Sequence, residues 1–438
     1  MYKRTSHNHA LTFAIRKANE LNLPLVVYEG LKYYYPWASD RLHTFILEGV
    51  EEKRLEFQRL GIRYVFYLQK DDRSPKQTVA RLAKQAAVIV TDEYPCFIIP
   101  EHNQRISERA SIPVYAVDSN GVIPLAKFEK EEYAAYTIRP KIEKLLPAYL
   151  KLFKEESVEI DGARLEVDCP ETIITANNVA SLVAECDIDH SVAPSPVYQG
   201  GALRGRVRLE RFVADILPAY ETARNKPERD GSSRLSAYLH FGFLSPLEIA
   251  LAVDAADAPQ ESKDAYLEEL IVRRELSFNF TLRNPHYDSL ASLPAWVQKT
   301  MREHIDDERQ FIYSIEQLEN GETHDELWNA SQREMAVTGE MHNYVRMLWG
   351  KNVIAWSRTY EEAFAALEHL NNKYCLDGRD PNSYAGILWC FGKHDRPWME
   401  RPVFGTMRYM TSASTGKKFD SKKYIEWTSS LATTSPTP

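Results

Sequence analysis

Apolar and polar positions follow two different periods along the first 120 residues of the chain. Four short apolar runs have the composition of buried strands, at 23–29, 62–68, 86–92 and 112–118. Stretches with helical spacing lie beside them, at 6–21, 39–60 and 77–86. Strands that alternate with helices predict βαβ units, so we expect an α/β domain with a Rossmann-like parallel sheet.

The order of these elements is unusual because a helix comes first. A right-handed crossover normally places a strand before such a helix, so either the chain starts late or the sheet lacks its first strand. No Gly-rich loop follows any of the four predicted strands. The fingerprint of an NAD-type Rossmann domain is therefore absent.

The rest of the chain divides into a linker and a helical region. Residues 120–195 are weakly periodic and contain Pro, Ser and Gly breakers. Beyond about residue 205 helical spacing prevails, with long helices predicted at 264–280, 340–356 and 361–374. We divide the chain into an α/β domain at 1–125, a linker at 126–195, a large all-α domain at 196–427 and a disordered tail at 428–438.

Composition narrows the class of protein. The 438 residues are 44% hydrophobic and 26% charged, as in soluble globular proteins, and no apolar run approaches the ~20 residues of a membrane span. The five cysteines lack C-x-x-C spacing, which argues against a disulfide framework and against a cysteine-ligated zinc site. We expect a cytoplasmic protein with no bound metal.

The net charge of -8 argues against a general nucleic-acid binder. One stretch departs from this balance: residues 393–423 carry eight basic and three acidic side chains. This stretch is either a solvated surface or one basic face on an acidic protein.

Tryptophan is concentrated in the C-terminal part of the chain. Trp349 and Trp356 are seven residues apart on one predicted helix, which is two turns, or ~10.5 Å, along the same face. This spacing is typical of aromatic core packing, and it equally suits a chain of oxidisable indoles that delivers electrons to a buried redox cofactor. The periodicity does not choose between the two interpretations.

Small hydroxyl residues surround Arg234 in the stretch GSSRLSAYLHFG. Ser232, Ser233 and Ser236 suit a pyrophosphate, because hydroxyls and backbone N–H groups donate hydrogen bonds while the guanidinium supplies charge. A helix N-cap beside a surface arginine has the same pattern.

Six stretches, in order, resemble the photolyase/cryptochrome flavoproteins, and most of all the class II cyclobutane pyrimidine dimer photolyases. They are GSSRLSAYLHFG, YLEELIVRREL, THDELWNASQREM, GEMHNYVRMLWGK, YCLDGRDPNSYAGILW and ERPVFGTMRYM. The likeness covers nearly the whole chain, and LNLPLVVYEGL and YPWASDRLH extend it into the N-terminal domain. It implies an N-terminal antenna domain and an all-α catalytic domain that binds DNA and encloses FAD in a U-shaped conformation.

The resemblance also assigns the cofactor contacts. The phosphates and ribityl chain of FAD would be held by Tyr220, Ser232, Ser233, Arg234, Leu235 and Ser236. Arg346 and Asp377 would form a salt bridge beside the isoalloxazine, where the cation favours the anionic reduced flavin. A buried Arg–Asp pair is costly to maintain, which favours a flavin-tuning role over a stabilising one. Asn371 would lie near flavin N5, or it is a helix C-cap.

The same likeness implies roles for the tryptophans. Trp349 would lie closest to FAD, followed by Trp328, with Trp356 as an alternative or terminal surface donor. Together they would photoreduce the oxidised flavin.

The lesion pocket follows from the resemblance in the same way. Trp389 and Met347 would form its apolar wall, and Glu269, Arg224 and Asn225 its polar contacts. Glu269 would be protonated or share a proton with the reduced dimer, or it forms an i,i+4 helix pair with Arg273. From the resemblance we would expect an aromatic residue at the Arg273 position in some relatives, and this chain lacks the stacking wall that it would supply. The favoured contacts to DNA phosphates are Lys417, Lys418, Lys422 and Lys423.

The implied activity is that of a monomeric deoxyribodipyrimidine photolyase acting on UV-damaged DNA. Excited reduced FAD would pass an electron to the flipped-out dimer, the cyclobutane bonds would split, and the electron would return. The alternative is a cryptochrome-like blue-light photoreceptor without repair activity. Whether the protein binds a deazaflavin-type antenna chromophore is left open, because the expected first strand of the antenna domain is missing. The pairs His324–Asp325 and His394–Asp395 are only a weak motif for a metal-dependent phosphohydrolase.

Overall fold

The computed structural model of the chain describes residues 2–433. A helix opens the chain, and helices and strands then alternate. The elements are α1 (His9–Glu20), β1 (Val26–Lys32), α2 (Asp40–Leu47), α3 (Val50–Arg59), β2 (Arg63–Gln69), α4 (Thr78–Ala83), β3 (Ile89–Glu93), α5 (Ile99–Arg109) and β4 (Val114–Asp118). Within the described range no helix is both long and apolar enough to cross a membrane.

The strands form parallel pairs, as the alternating pattern predicts. β1 pairs with β2, Val26 lying opposite Arg63, and β3 pairs with β4, Ile89 lying opposite Val114. The predicted parallel sheet is present as two separate two-stranded sheets. Among residues 2–433 no strand joins them, and α1 packs against β3 and β4.

Two boundaries in this region differ from their predictions for local reasons. β1 begins three residues later than the apolar run at 23–29, because Pro24 within that run has no N–H to donate to a strand ladder. The helix predicted at 39–60 is broken before Gly49. A Cβ at Gly49 would lie 2.4 Å from the ring of Phe243, so the glycine allows the helical region to pack closely at this point.

The segment predicted as a linker contains two helices, α6 (Ala135–Tyr149) and α7 (Val179–Ala184). Beyond it the chain is helical throughout. The helices are α8 (Ala202–Arg211), α9 (Tyr220–Ala223), α10 (Ser236–His240), α11 (Pro246–Asp254), α12 (Gln260–Leu267), α13 (Arg274–Arg283), α14 (Ala295–Glu303), α15 (Ile315–Asn320), α16 (Glu326–Thr338), α17 (Asn343–Trp356), α18 (Tyr360–Tyr374), α19 (Pro381–Cys390), α20 (Ser412–Thr415) and α21 (Ser421–Thr433).

Two helical predictions need correction. The helix expected at 264–280 is interrupted by a π-helical turn, Glu268–Arg273, between α12 and α13. Residues 428–433, expected in a disordered tail, are the last turns of α21, which packs against α16 and buries Thr428 completely. A polar Ser/Thr-rich composition hid this helix, whose apolar contacts come from Tyr424 and Trp427. The rest of the expected tail, 434–438, lies outside the described residues.

The α/β and helical regions share one hydrophobic core. Phe45 of α2 contacts three rings of the helical region, Tyr238, Phe241 and Phe243, at centroid distances of 5.5, 5.3 and 5.6 Å. A second cluster lies wholly within the helical region and contains Trp328, Trp349 and Trp356 among its buried members. The two regions are therefore packed together rather than tethered.

A buried guanidinium reinforces this packing. Arg41 of α2 is 2% exposed and donates to the carbonyl groups that end two helices of the other region. Its acceptors are Ala193, Met335, Ala336, Val337 and Tyr374. Because the last carbonyls of a helix lack intrahelical partners, Arg41 caps both α16 and α18.

A buried carboxyl group also joins the two regions. Glu275 of α13 accepts hydrogen bonds from the backbone N–H groups of Val122 and Ile123, at 2.8 and 3.0 Å. Burial raises its pKa from 4.5 to about 8, in spite of those hydrogen bonds and the nearby Arg274. The folded protein therefore holds a proton on Glu275 that the unfolded chain releases above pH 4.5.

This raised pKa predicts a pH-dependent stability. Between pH 4.5 and about 8 the folded state binds more protons than the unfolded state, so the free energy of unfolding should fall as the pH rises, by up to about 1.4 kcal/mol per pH unit. Glu275→Gln, which keeps the accepting oxygen, should flatten that slope in chemical denaturation at pH 5.5, 6.5 and 7.5. An unchanged slope in the variant would mean that Glu275 is ionised throughout.

Candidate functional site

A cavity of about 340 Å³ lies in the helical region. Its walls come from α9, α10, the π-helical turn and the starts of α17 and α19. Of the residues assigned to the cofactor, it is lined by Tyr220, Ser232, Ser233, Arg234, Leu235, Ser236, Arg346 and Asp377. The volume is within the usual range of small-molecule sites.

Arg234 is the central cation of the serine-rich loop. Its backbone is left-handed, with φ of 52°, which for a residue other than glycine is a strained conformation typical of functional sites. Its guanidinium pairs with Asp230 at 3.0 Å and with Glu340 at 3.3 Å. Burial is the largest single influence and acts to lower the pKa of Arg234, but Glu340, Tyr198, Asp230 and Glu334 together outweigh it and the pKa is raised. Arg234 is therefore a fixed positive charge in the cavity wall.

The N-terminus of α17 faces the same cavity through Met341, His342 and Asn343. Unpaired N–H groups and the helix dipole make this end attractive to anions. His342 caps the helix, its Nδ1 accepting from the N–H of Tyr344 at 3.2 Å. Burial and the neighbouring Arg234 and Arg346 lower the pKa of His342 to about 4, so its ring is neutral at physiological pH.

Arg346 and Asp377 lie together, as the resemblance implies, with Nη2 and Oδ1 3.7 Å apart. Burial acts to lower the pKa of Arg346, but Asp377 and other acidic groups outweigh it and the pKa is raised. Oδ1 of Asp377 is buried and accepts no hydrogen bond, and Nε2 of His342 is also buried without a partner. These two atoms in the cavity wall are left for an occupant to satisfy.

A narrow extension of about 20 Å³ continues the cavity between α17, α18 and α19. Asn371 borders it from within the last turn of α18, and Cys375 is the C-cap residue, so Asn371 is not a helix C-cap. Gly386 borders both spaces, and a Cβ there would meet nothing within 4 Å. The glycine thus leaves part of the cavity open.

The three tryptophans form a continuous series of ring contacts that starts at this extension, parallel between Trp349 and Trp328 and edge to face between Trp328 and Trp356; we call it the tryptophan stack. Trp349 borders the extension and lies parallel to Trp328, with ring centroids 6.5 Å apart. Trp328 is completely buried and contacts Trp356 at 5.5 Å. Both inner indoles are fixed by hydrogen bonds, from Trp328 Nε1 to the carbonyl of Trp349 and from Trp349 Nε1 to Gln332, each 3.0 Å long.

A second part of the cavity, which we call its mouth, carries the residues expected to bind the lesion. Arg224, Asn225 and Glu269 line it, and Arg224 pairs with Glu269 at 3.1 Å. The alternative pair of Glu269 with Arg273 is wrong, because Arg273 binds Glu268, five residues away, at 3.0 Å. A π-helical turn has more residues per turn than an α-helix, and so it brings i and i+5 onto one face.

The remaining predicted lesion residues lie outside this lining. Trp389 is half-buried on α19, and the guanidinium of Arg273 lies 5.7 Å from its ring centroid. Met347 packs against the tryptophan-containing core. Lys417, Lys418, Lys422 and Lys423 are exposed in the segment that carries α20 and α21. An arginine thus covers the ring of Trp389.

Several lining residues were not predicted. Glu340 accepts from Tyr198 as well as from Arg234, and Asp380 joins His240 to Tyr94 of the α/β region, with distances of 3.1 and 3.0 Å. Glu340 and Asp380 lie within stretches that carry the family resemblance, GEMHNYVRMLWGK and YCLDGRDPNSYAGILW. No local feature of either stretch singled out these two acids. Among residues 2–433 no group of three or more His, Cys, Asp or Glu is arranged to hold a metal ion.

Comparisons with known proteins agree with this architecture. Residues 3–159 match the family model described as DNA photolyase. A deoxyribodipyrimidine photo-lyase of Methanothermobacter thermautotrophicus is 38% identical over 97% of this chain and 92% of its own length. Another, from Oryza sativa subsp. japonica, is 41% identical over 98% and 86%.

Solved structures share the fold at low identity. An archaeal photolyase from Sulfolobus tokodaii, crystallised with two FAD molecules, aligns with a TM-score of 0.69 at 19% identity, covering 97% of this chain and 87% of its own. A Synechocystis cryptochrome aligns with a TM-score of 0.70 at 16% identity, covering 97% and 86%. The fold is therefore the one that photolyases and cryptochromes have in common. The two deoxyribodipyrimidine photo-lyases above are 38% and 41% identical to this chain over nearly its whole length, and so the chain belongs to the DNA photolyase family.

Proposed function

We propose that the protein is a deoxyribodipyrimidine photolyase that uses FAD and light to split cyclobutane pyrimidine dimers in UV-damaged DNA. The observation that carries the proposal is a single cavity with cationic, helix-terminal walls at one side and a tryptophan stack at the other. Relatives with this printed activity are 34–41% identical over nearly the whole chain. The class II subtype is part of the proposal and rests on the six motif stretches.

The charge and the hydrogen-bond donors of the lining support FAD as the occupant. Ser232, Ser233, Arg234 and Ser236 offer hydroxyl and guanidinium donors to the phosphates, and Tyr220 and Leu235 border the same loop. Arg346 and Asp377 would flank the flavin ring, and Asn371 would approach it through the narrow extension. The unsatisfied Asp377 Oδ1 and the open space at Gly386 are consistent with a planar polar occupant. When bound, FAD supplies light absorption and the electron that opens the cyclobutane ring.

The protein residues around the mouth have a second task, which is to receive the dimer. Flipping a damaged pair out of the duplex costs a few kcal/mol, less than for an intact pair. Arg224 and Asn225 supply donors for the pyrimidine carbonyl groups, and Glu269 is held at the mouth by Arg224. Trp389 and Met347 would form the apolar side. Glu269 would then be protonated, or it would share a proton with the reduced dimer.

The exposed lysines of the C-terminal segment suit DNA phosphates. Lys417, Lys418 and Lys423 carry no ion pair among the described side chains, and Lys422 reaches Glu426 only at 4.0 Å. Their charge is therefore available for counterion release on a backbone. We further propose that the protein acts as a cytoplasmic monomer, with a deazaflavin-type chromophore as the candidate antenna.

Light dependence tests this function. Reduced protein incubated with a dimer-containing oligonucleotide under near-UV or blue light should restore intact pyrimidines, and a dark control should not. Dimers can be counted by chromatography after digestion. Intact dimers after illumination of protein with bound FAD would instead favour a photoreceptor of the cryptochrome type.

Gly386 offers a test of the cofactor site. Gly386→Leu should fold normally but lose most of its bound FAD, because the side chain enters the cavity that would hold it. Gly386→Ala is the matched control, since its Cβ meets no atom within 4 Å. Flavin absorbance per protein and thermal unfolding measure the two properties. If the leucine variant contained as much flavin as the wild-type protein, this cavity would not be the FAD site.

Trp349 offers a test of the electron path. Trp349→Phe should keep FAD yet lose most blue-light bleaching of the oxidised flavin band, because phenylalanine is far harder to oxidise than an indole. Chemically pre-reduced variant should still repair dimers. Trp427→Phe is the control, as Trp427 contacts Tyr424 rather than the stack. Bleaching at the wild-type rate in Trp349→Phe would contradict the assignment.

A further inference from the structure

A group of aromatic side chains lies outside the cavity, where the linker meets the helical region. Tyr133 and Tyr136, at the start of α6, are 42% and 65% exposed, with ring centroids 6.4 Å apart. Trp296 of α14 donates from Nε1 to the hydroxyl of Tyr133 at 3.2 Å. We call Tyr133, Tyr136 and Trp296 the aromatic platform.

The platform is fastened to the start of the basic segment 393–423. The hydroxyl of Tyr133 donates to the carbonyl of Asp395 at 2.9 Å, and Nδ1 of His394 lies 2.7 Å from the carbonyl of Tyr133. Trp296 packs on Gly392, where a Cβ would lie 3.0 Å from the indole. These contacts fix the orientation of Tyr133 and Trp296, so the platform is part of the same rigid surface as the basic segment.

Contacts also connect the platform to the wall of the proposed lesion pocket. His394 lies 5.8 Å from Trp389, the ring that Arg273 covers. Arg273 and Arg139 both bind Glu268, at 3.0 and 2.7 Å. Arg139 follows Tyr136 by three residues on α6, which places both on one helix face. The platform is therefore linked, through Arg139 and Glu268, to Arg273 and Trp389 in the proposed wall of the lesion pocket.

The charges around the platform favour an anionic partner. Three nearby glutamates are already paired: Glu131 with Lys393, Glu132 with Lys141, and Glu268 with two arginines. Asp395 accepts from Trp398 Nε1 at 3.3 Å. Arg396 is exposed, and so is Lys299, which follows Trp296 by three residues and lies 3.7 Å from Glu303. Exposed rings beside exposed cations are the combination with which proteins bind single-stranded nucleic acid.

We propose that the aromatic platform stacks an unpaired nucleotide of the damaged DNA outside the dimer itself. Removal of the dimer from the duplex leaves neighbouring bases unpaired, and Tyr136 is the ring most open to receive one. This inference rests on the proposed function, because it places a second stacking site beside the lesion pocket. It also gives the linker a role in substrate binding.

Tyr136→Ala tests the platform, because this side chain is the most exposed of the three and its loss should not disturb the fold. Affinity for a dimer-containing oligonucleotide should fall about tenfold, the expected cost of one lost stacking contact. Tyr136→Trp keeps an aromatic ring at this position and should bind the oligonucleotide with wild-type affinity. Tyr34→Ala removes a tyrosine of similar exposure, 56%, from the α/β region and should leave affinity unchanged.

A dinucleotide dimer without flanking bases separates the platform from the cavity. Tyr136→Ala should repair this small substrate at the wild-type rate under saturating light. The inference would be overturned if Tyr136→Ala bound the oligonucleotide with wild-type affinity. It would also be overturned if the variant lost as much on the dinucleotide dimer as on the oligonucleotide. Wild-type protein that binds an undamaged single-stranded oligonucleotide more tightly than Tyr136→Ala, yet repairs nothing, would overturn the proposed function and support the platform.

Discussion

The desolvated charges around the cavity are the constraint on which the rest of the helical region depends. Arg234 and Arg346 are held in the wall by Glu340 and Asp377, and buried charges of this kind are costly unless they are paired and hydrogen-bonded. The pairing is incomplete, since Asp377 Oδ1 accepts no hydrogen bond. The site is thus organised for a polar occupant in advance, at the expense of stability.

The tryptophan stack shows that core packing and electron transfer are compatible roles for the same side chains. Trp328 and Trp349 fill the second hydrophobic cluster and are also parallel, close and hydrogen-bonded at their indole nitrogens. Close packing fixes the distance and orientation of the rings, which is what rapid electron transfer requires. The sequence spacing alone could not choose between the interpretations, because both place the rings on one face.

Much of the fold and site could be predicted from periodicity and motifs, and the failures have identifiable causes. The parallel strand pairs and the serine-rich loop around Arg234 follow from local patterns, whereas the separation of the two sheets depends on pairing between distant segments. In the π-helical turn Arg273 pairs with Glu268 instead of Glu269, and the i,i+4 spacing of an α-helix does not predict this pair. Glu340 and Asp380 became recognisable only through their partners in space.

Arg41 has a consequence for how the molecule can be divided. Its guanidinium belongs to the α/β region but completes the ends of α16 and α18, the helices that carry Trp328 and Asn371. A fragment trimmed to the helical region would expose the carbonyl groups that Arg41 now caps and the aromatic surface that Phe45 now covers. The N-terminal region is thus an integral part of the catalytic scaffold, and the smallest working unit includes both halves.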